Sequence, residues 1–255
     1  SLFGRFTYLG TSMPLNPTIR SFIKHYDCIN LCVIVCGCLL SLIAVNNKHM
    51  EMVQMLLDKG ADINFCDRND KTPLHFAVQN KDMEIVKMLV GEGAKLIKQY
   101  PYDRSKNFLH IAVYNKDMEM VQMLLDKGAD FNACDEDGKT PLHLAVQNKD
   151  LEMVQMLLDK GVKLNKQYAY NRSCNYLHIA VNNKHMEMVQ MLLDKGADIN
   201  VYDRNDKTPL HFAVQNKDIE MVQMLLDKGA DVGVCDRNDK TPLHFAVQNK
   251  DMEIV

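Results

Sequence analysis

Thr72-Pro73-Leu74-His75-Phe76-Ala77 decides how this chain is read, because the chain keeps returning to those words. They stand again at Thr140-Pro141-Leu142-His143-Leu144-Ala145, from Thr208 to Ala213 and from Thr241 to Ala246. Two altered copies lack the Thr-Pro start: Asn107-Phe108-Leu109-His110-Ile111-Ala112 and Asn175-Tyr176-Leu177-His178-Ile179-Ala180. Each copy reads as the start of a short helix. Thr72 is an N-cap whose hydroxyl can satisfy an orphan N–H, and Pro73 at the first helical position needs no donor. Leu74, Ala77 and Val78 then share one apolar face.

Outward from that word the pattern continues. Gln79-Asn80-Lys81 breaks the helix, and Asp82 and Glu84 put negative charge at the start of the next, where the helix dipole favours it. In the copy beginning at Met50, residues Met52, Val53, Leu56 and Leu57 form the apolar stripe of a second helix. Lys59 sits in its last turn, and Gly60 is expected to take the left-handed conformation that ends it. Ala61-Asp62-Ile63-Asn64 leads into a finger in which Asp67 starts the next turn. Successive repeat alanines, from Ala44 to Ala246, are 33, 35, 33, 35, 33 and 33 residues apart, so the true unit is a block of 68. Residues 46–64 and 182–200 are identical at a separation of 136, which points to duplication of that two-repeat block.

These words at this spacing resemble the ankyrin repeat, from about Ile34 to Val255. The resemblance implies an all-α fold, an ankyrin-repeat α-solenoid with short β-hairpin or turn fingers. The phase gives repeats at 34–66, 67–101, 102–134, 135–169, 170–202 and 203–235, a partial one at 236–255, and an N-terminal segment at 1–33. Since a helix pair of this size cannot bury its apolar face alone, stacked neighbours complete the core. The chain opens on Ser1 and stops at Val255 inside a repeat, so it is expected to be a piece of a longer protein whose cut end frays. It departs from the family twice. Lys81 and its equivalents replace the usual glycine between the helices. Asp70, Asp206 and Asp239 replace the finger glycine that Gly138, and in phase Gly37, keep.

Composition narrows the classes. With 47% apolar residues, 25% charged residues and a net charge of −3, the chain has no basic surplus and no nucleic-acid footprint over its length. Eight cysteines are too scattered for a secreted disulfide framework. Cys66, Cys134 and Cys235 hold one repeat position and are read as reduced thiols of a cytoplasmic or nuclear protein. Cys28 to Val45 is an uncharged run of 18 residues, the one weak candidate for a membrane span. The same run places Gly37 to Val45 in phase with Gly138 to Val146, the reading of a degenerate first repeat.

Motifs with chemistry do not hold. Six of the nine histidines share one repeat position, and adjacent copies lie a repeat apart, too far to share a metal. The resemblance implies that each imidazole bonds within its own helix start and to the neighbouring finger. His49-Met50-Glu51 and His185-Met186-Glu187 lack the Pro-Cys-x-x-Cys of a zinc deaminase. Asp135-Glu136-Asp137-Gly138 lacks the ligand spacing and closing glutamate of a calcium loop. No nucleophile–base pair or phosphate cradle stands in the chain. The reading is no enzyme, no catalytic residue, no metal, no cofactor and no small-molecule substrate. The many methionines are adaptable core filler or, alternatively, a promiscuous groove.

What remains is surface. By resemblance, ankyrin modules bind proteins through the fingers and the concave face of the first helices. On that face lie Gln79, Asn80, Tyr114, Asn115, Gln147 and Asn148. Two fingers are longer by two residues, and each carries two tyrosines and three basic groups. They bring Tyr100, Tyr102 and Arg104, and then Tyr168, Tyr170 and Arg172, to one edge. Tyrosine and arginine often dominate binding energy, and such an edge suits an extended acidic protein partner. Asn64, Asn132 and Asn200, each with a leucine eight back and an aspartate two back, resemble substrates of the asparaginyl hydroxylase of ankyrin fingers; the alternative is that they bond the finger backbone. The expected function is a protein–protein interaction scaffold. The alternatives are the recognition arm of a larger protein, such as a channel or a ubiquitin-ligase substrate receptor, and a pathogen ankyrin effector.

Overall fold

The computed structural model describes residues 44, 45, 47–67, 71–96, 107–135, 137–162, 164 and 175–248. Among the described residues, twelve helices run between Met50 and Gln248, and no residue is in a strand. They are α1 Met50–Asp58, α2 Pro73–Gln79, α3 Met83–Gly91, α4 Phe108–Tyr114, α5 Met118–Asp126 and α6 Pro141–Gln147. Then come α7 Leu151–Asp159, α8 Tyr176–Asn182, α9 Met186–Asp194, α10 Pro209–Gln215, α11 Ile219–Asp227 and α12 Pro242–Gln248. Short even-numbered helices therefore alternate with longer odd-numbered ones, as the repeated words require. The chain falls into two compact units, Ser1–Phe76 and Ala77–Val255.

In the second unit the short helices α4, α6, α8, α10 and α12 pack in sequence order, each on the next. These are the inner helices. Their leucines, alanines and valines, such as Leu142, Ala145 and Val146, are buried. The outer helices bury one stripe each, Met120, Val121 and Leu124 in α5 and Met188, Val189 and Leu192 in α9. That is the stripe read from Met52, Val53 and Leu56 one or more repeats earlier. In the first unit Val53 is the buried residue of α1. Each outer helix then closes as expected: Gly60 has φ +83°, and the Ala61 N–H donates to the Leu56 carbonyl, which satisfies an orphan acceptor at the helix end.

Among the described residues the fingers take the turn form of the expected hairpin or turn, with no residue in a strand. In each described copy they are turns gathered around an aspartate. Asp135 Oδ1 accepts from the N–H groups of Asp137 (3.0 Å) and Lys139 (2.8 Å), and its own N–H donates to the Lys139 carbonyl at 2.9 Å. Asp203 and Asp236 repeat that arrangement and, like Asp135, are buried. A single carboxylate takes the donors that a strand ladder would otherwise pair, so no ladder is needed.

Both departures from the family pattern keep the family's backbone. Lys81, Lys116, Lys149, Lys184 and Lys217 have φ between 53 and 57°, and Asp206 and Asp239 have φ 60 and 57° where Gly138 has 74°. The left-handed conformation costs a non-glycine residue about 1–2 kcal/mol. Lys149→Gly is accordingly expected to stabilise the protein by about 0.5–1 kcal/mol in urea unfolding, part of the relief being offset by the looser unfolded chain. A loss of stability would mean that the lysine side chain outweighs its backbone strain.

Of the run from Cys28 to Val45, only Ala44 and Val45 lie among the described residues. Both are helical and buried. The His49 N–H donates to the Ala44 carbonyl and the Lys48 N–H to Val45, the same turn that closes α6 after Ala145 and Val146. Among the described residues no helix is long and apolar enough to cross a membrane.

Candidate functional site

The repeated histidine is built into the stack. The Thr140 N–H donates to His143 Nδ1 at 3.0 Å, and the Thr208 N–H to His211 Nδ1 at 3.1 Å. The cap residue thus gives its backbone donor to the imidazole, which fixes Nδ1 as an acceptor and leaves the proton on Nε2. That proton is spent on the next repeat: His178 Nε2 donates to the Lys207 carbonyl (2.9 Å) and His211 Nε2 to Lys240 (3.1 Å). Burial pushes both imidazoles below their ordinary pKa; the Lys207 and Lys240 carbonyls, with Asp203 and Asp236 nearby, pull the other way and lose. These histidines hold one repeat to the next. Among the described residues, no group of histidine, cysteine and acidic side chains could hold a metal.

Where Thr-Pro is lost, an aromatic ring takes the place of the proline. Phe108 and Tyr176 are buried, and the Tyr176 ring lies 4.3 Å from that of His143, centroid to centroid. Its hydroxyl sits 3.2 Å from Thr140 Oγ1, so the altered repeat is bonded back to the one before it. Reading single words missed this contact, since it joins residues 36 apart.

The amide row divides into two kinds of position. The last helical residues, Gln79, Tyr114, Gln147 and Asn182, are exposed, and Tyr114 is 64% exposed. The following asparagines, Asn80, Asn115, Asn148 and Asn183, are half-buried. Of these, Asn115 Nδ2 donates to the Val78 carbonyl (3.3 Å), and Lys81 Nζ donates to the Asn115 carbonyl (3.0 Å). Asn216 Nδ2 likewise reaches Asn182 Oδ1 at 3.4 Å. Asn115 and Asn216 therefore stitch repeats together, whereas Asn183 Nδ2 is buried without a hydrogen-bond partner among the described residues, and the residues before these asparagines face outward.

The outer helices carry a second ladder. Lys160, Lys195 and Lys228 each reach back one repeat to Asp126, Asp159 and Asp194, at 2.7, 3.0 and 3.3 Å. Hydrogen bonds from Gln122, Gln155 and Gln190, and then from the lysines, hold these carboxyls below their ordinary range. Beside them Leu151, Met156 and Met191 line an open groove, rimmed by Gln122, Glu152 and Lys160.

Of the finger asparagines, Asn64, Asn132 and Asn200 each turn the backbone N–H to the aspartate two before it, and Asn200 Oδ1 also accepts from the Asp231 N–H of the next finger (2.9 Å). The backbone-bonding alternative therefore has its donor and acceptor in place at Asn200. Cys66, Cys134 and Cys235 are thiols. Tyr100, Tyr102, Arg104, Tyr168, Tyr170 and Arg172 lie outside the described residues.

Comparison with known proteins returns the same architecture. Family models described as "Ankyrin repeats (3 copies)" match residues 94–168 and 177–255, and one described as "Ankyrin repeats (many copies)" matches 41–90. No curated protein matches the chain. Among solved structures, the ankyrin repeat domain of Bcl-3, described as a unique member of the IkappaB protein family, is similar at 28% identity with a TM-score of 0.72. The match covers 81% of this chain and 93% of that one.

Proposed function

This chain belongs to the ankyrin-repeat family, whose repeats are protein-interaction modules, and we propose that it is a scaffold binding a protein partner through its inner-helix face and fingers. The observation that carries this reading is the division of each inner helix. Its apolar side is buried in the stack, while Tyr114, Gln147 and Asn182 stand outward in one row on a rigid base. A tyrosine held that way gives large contact area at small entropic cost. The reading assigns to the two lengthened fingers, through Tyr100, Tyr102 and Arg104 and through Tyr168, Tyr170 and Arg172, contacts with an acidic partner. Three thiols at a single repeat position suit a reducing compartment, the cytoplasm or nucleus.

Partner capture and thermal melting test this together. Tyr114→Ala with Gln147→Ala, Tyr102→Ala with Arg104→Ala, and Tyr170→Ala with Arg172→Ala are compared with the unmodified chain. Capture is expected to fall about tenfold or more in at least one pair, with the melt unchanged. A lowered melt with full capture in all three would assign these side chains to the fold instead.

A further inference from the structure

We propose that the outer-helix face of the unit from Ala77 onward is a second docking surface. It takes a basic amphipathic helix of a partner protein, laid across α5, α7, α9 and α11. None of the inner-helix or finger residues assigned above belongs to it.

The floor of this surface comes from one repeat position. Met123, Met156, Met191 and Met224 recur there and are half-buried, whereas Met120, Met153, Met188 and Met221, three residues earlier, are fully buried. The buried set fills the core; the other set is left at the surface. Met156 and Met191 line the open groove, with Leu151 beside them. A thioether on an unbranched stem re-packs at low cost, which suits a surface that receives another apolar side chain.

One flank of the methionine row is acidic. Glu119, Glu152, Glu187 and Glu220 stand four residues before the methionines, one helical turn away on the same face, and all are exposed. Glu119 meets Lys87 at 3.8 Å, and the other three make no ion pair among the described residues. The opposite flank is already neutralised. Asp126, Asp159 and Asp194, three residues after the methionines, are paired with Lys160, Lys195 and Lys228. The lysines that precede the outer helices do not reverse the sign. Residues 116–127, 149–160 and 217–228 each hold three acids and two lysines. Residues 184–195 hold two of each, and there Lys184 Nζ is spent on the Asn216 carbonyl at 3.3 Å.

Spacing selects the occupant. Packed helices stand about 8–10 Å apart, and seven residues of an α-helix rise about 10.5 Å and return to nearly the same face. A heptad therefore advances about one repeat. An apolar stripe on the partner helix meets one methionine per repeat, and a lysine or arginine at every seventh position on one flank meets one glutamate. The other flank of the partner is polar and uncharged, because the carboxylates below it already hold lysines. A nucleic acid or an anionic membrane is repelled by the unpaired glutamates.

The test uses the full chain and labelled helical peptides of four heptads, read by fluorescence anisotropy. The first peptide has leucine on one face, lysine at every seventh position on one flank, and glutamine and alanine elsewhere. The second has the same composition with its lysines moved opposite the leucines, and the third has glutamate in place of lysine. The first is expected to bind about tenfold more tightly than either of the others, and more weakly as salt rises. Glu152→Gln with Glu187→Gln weakens it about fivefold, while Glu152→Asp with Glu187→Asp retains binding. Met156→Gln with Met191→Gln weakens it about tenfold with the melt unchanged, while Met156→Leu with Met191→Leu retains binding. Tyr114→Ala with Gln147→Ala leaves the affinity as it is. Equal affinity for the three peptides, no binding by any of them, indifference to both glutamine pairs, or loss of binding in the Tyr114→Ala pair would overturn the proposal. Self-association of the chain that Met156→Gln with Met191→Gln disperses would also overturn it, since the groove would then hold a second copy.

Discussion

Replacing His178 with alanine is expected to cost about 2–4 kcal/mol of stability in urea unfolding. The ring is fully buried. Its Nε2 donates to the Lys207 carbonyl at 2.9 Å, its Nδ1 accepts from the Asn175 N–H at 3.3 Å, and its edge meets the Phe212 ring at 5.2 Å. Alanine removes all three. It leaves the Asn175 N–H unpaired and the Lys207 carbonyl with only the Asp203 N–H as donor, and it opens a cavity between two repeats. His244→Ala is the control. That imidazole makes the same bonds to its own Thr241 but is exposed, so its loss is expected to cost less than about 1 kcal/mol. Similar costs at both positions would mean that the bond to the next repeat contributes little.

Acid should weaken the stack in the window where imidazole titrates. Burial holds His178 and His211 below the value of about 6.5 that they regain when unfolded. As the pH falls the unfolded chain therefore takes up those protons first. The stability they contribute is complete above about pH 6.5 and is lost as the pH falls from there through the lower folded-state values. The groups facing His178 are the Lys207 carbonyl, Asp203 and His211; those facing His211 are the Lys240 carbonyl, Asp236, Lys207 and Asp203. The acids oppose the fall without reversing it. A second, smaller loss is expected below about pH 4, where Asp126, Asp159 and Asp194 take up protons and release Gln122, Gln155, Gln190 and their lysines. Urea midpoints measured between neutral and acid pH check this. In His178→Gln with His211→Gln the first loss should be reduced, and an unchanged profile in that variant would place the sensitivity elsewhere.

The helix pairs were legible because the Thr-Pro-Leu-His word fixes both the start of an inner helix and its buried face. Gly60 could be assigned its left-handed turn for the same local reason. The bonds between repeats were harder to see. Lys160 to Asp126 and Tyr176 to Thr140 join residues 34 and 36 apart, and they emerge only when the chain is written out one repeat under another. The finger turns were half read: Asp67 was given the role of starting a turn, but not that its equivalents would be buried and replace the hairpin ladder. At the positions between the helices the chain departs from the family's glycine, yet the stack imposes the left-handed backbone on a lysine. In sequence the amide row showed no division; burial separates half-buried asparagines, of which Asn115 and Asn216 bond to the repeat before, from outward-facing neighbours. The lengthened fingers lie outside the described residues and remain a proposal.

Native-state hydrogen exchange tests most directly whether stability in the unit from Ala77 onward passes from repeat to repeat. An inner helix packed on both sides, such as α6 or α8, should exchange slowest, because its opening exposes two interfaces. Helix α12 keeps Leu243 and Val247 at 52% and 59% exposure, where the matching leucines and valines of α6 and α8 are buried, and should exchange fastest of the inner helices. Graded protection, highest in α6 and α8 and lowest in α12, is the predicted result. Equal protection in α12 and α8 would contradict it.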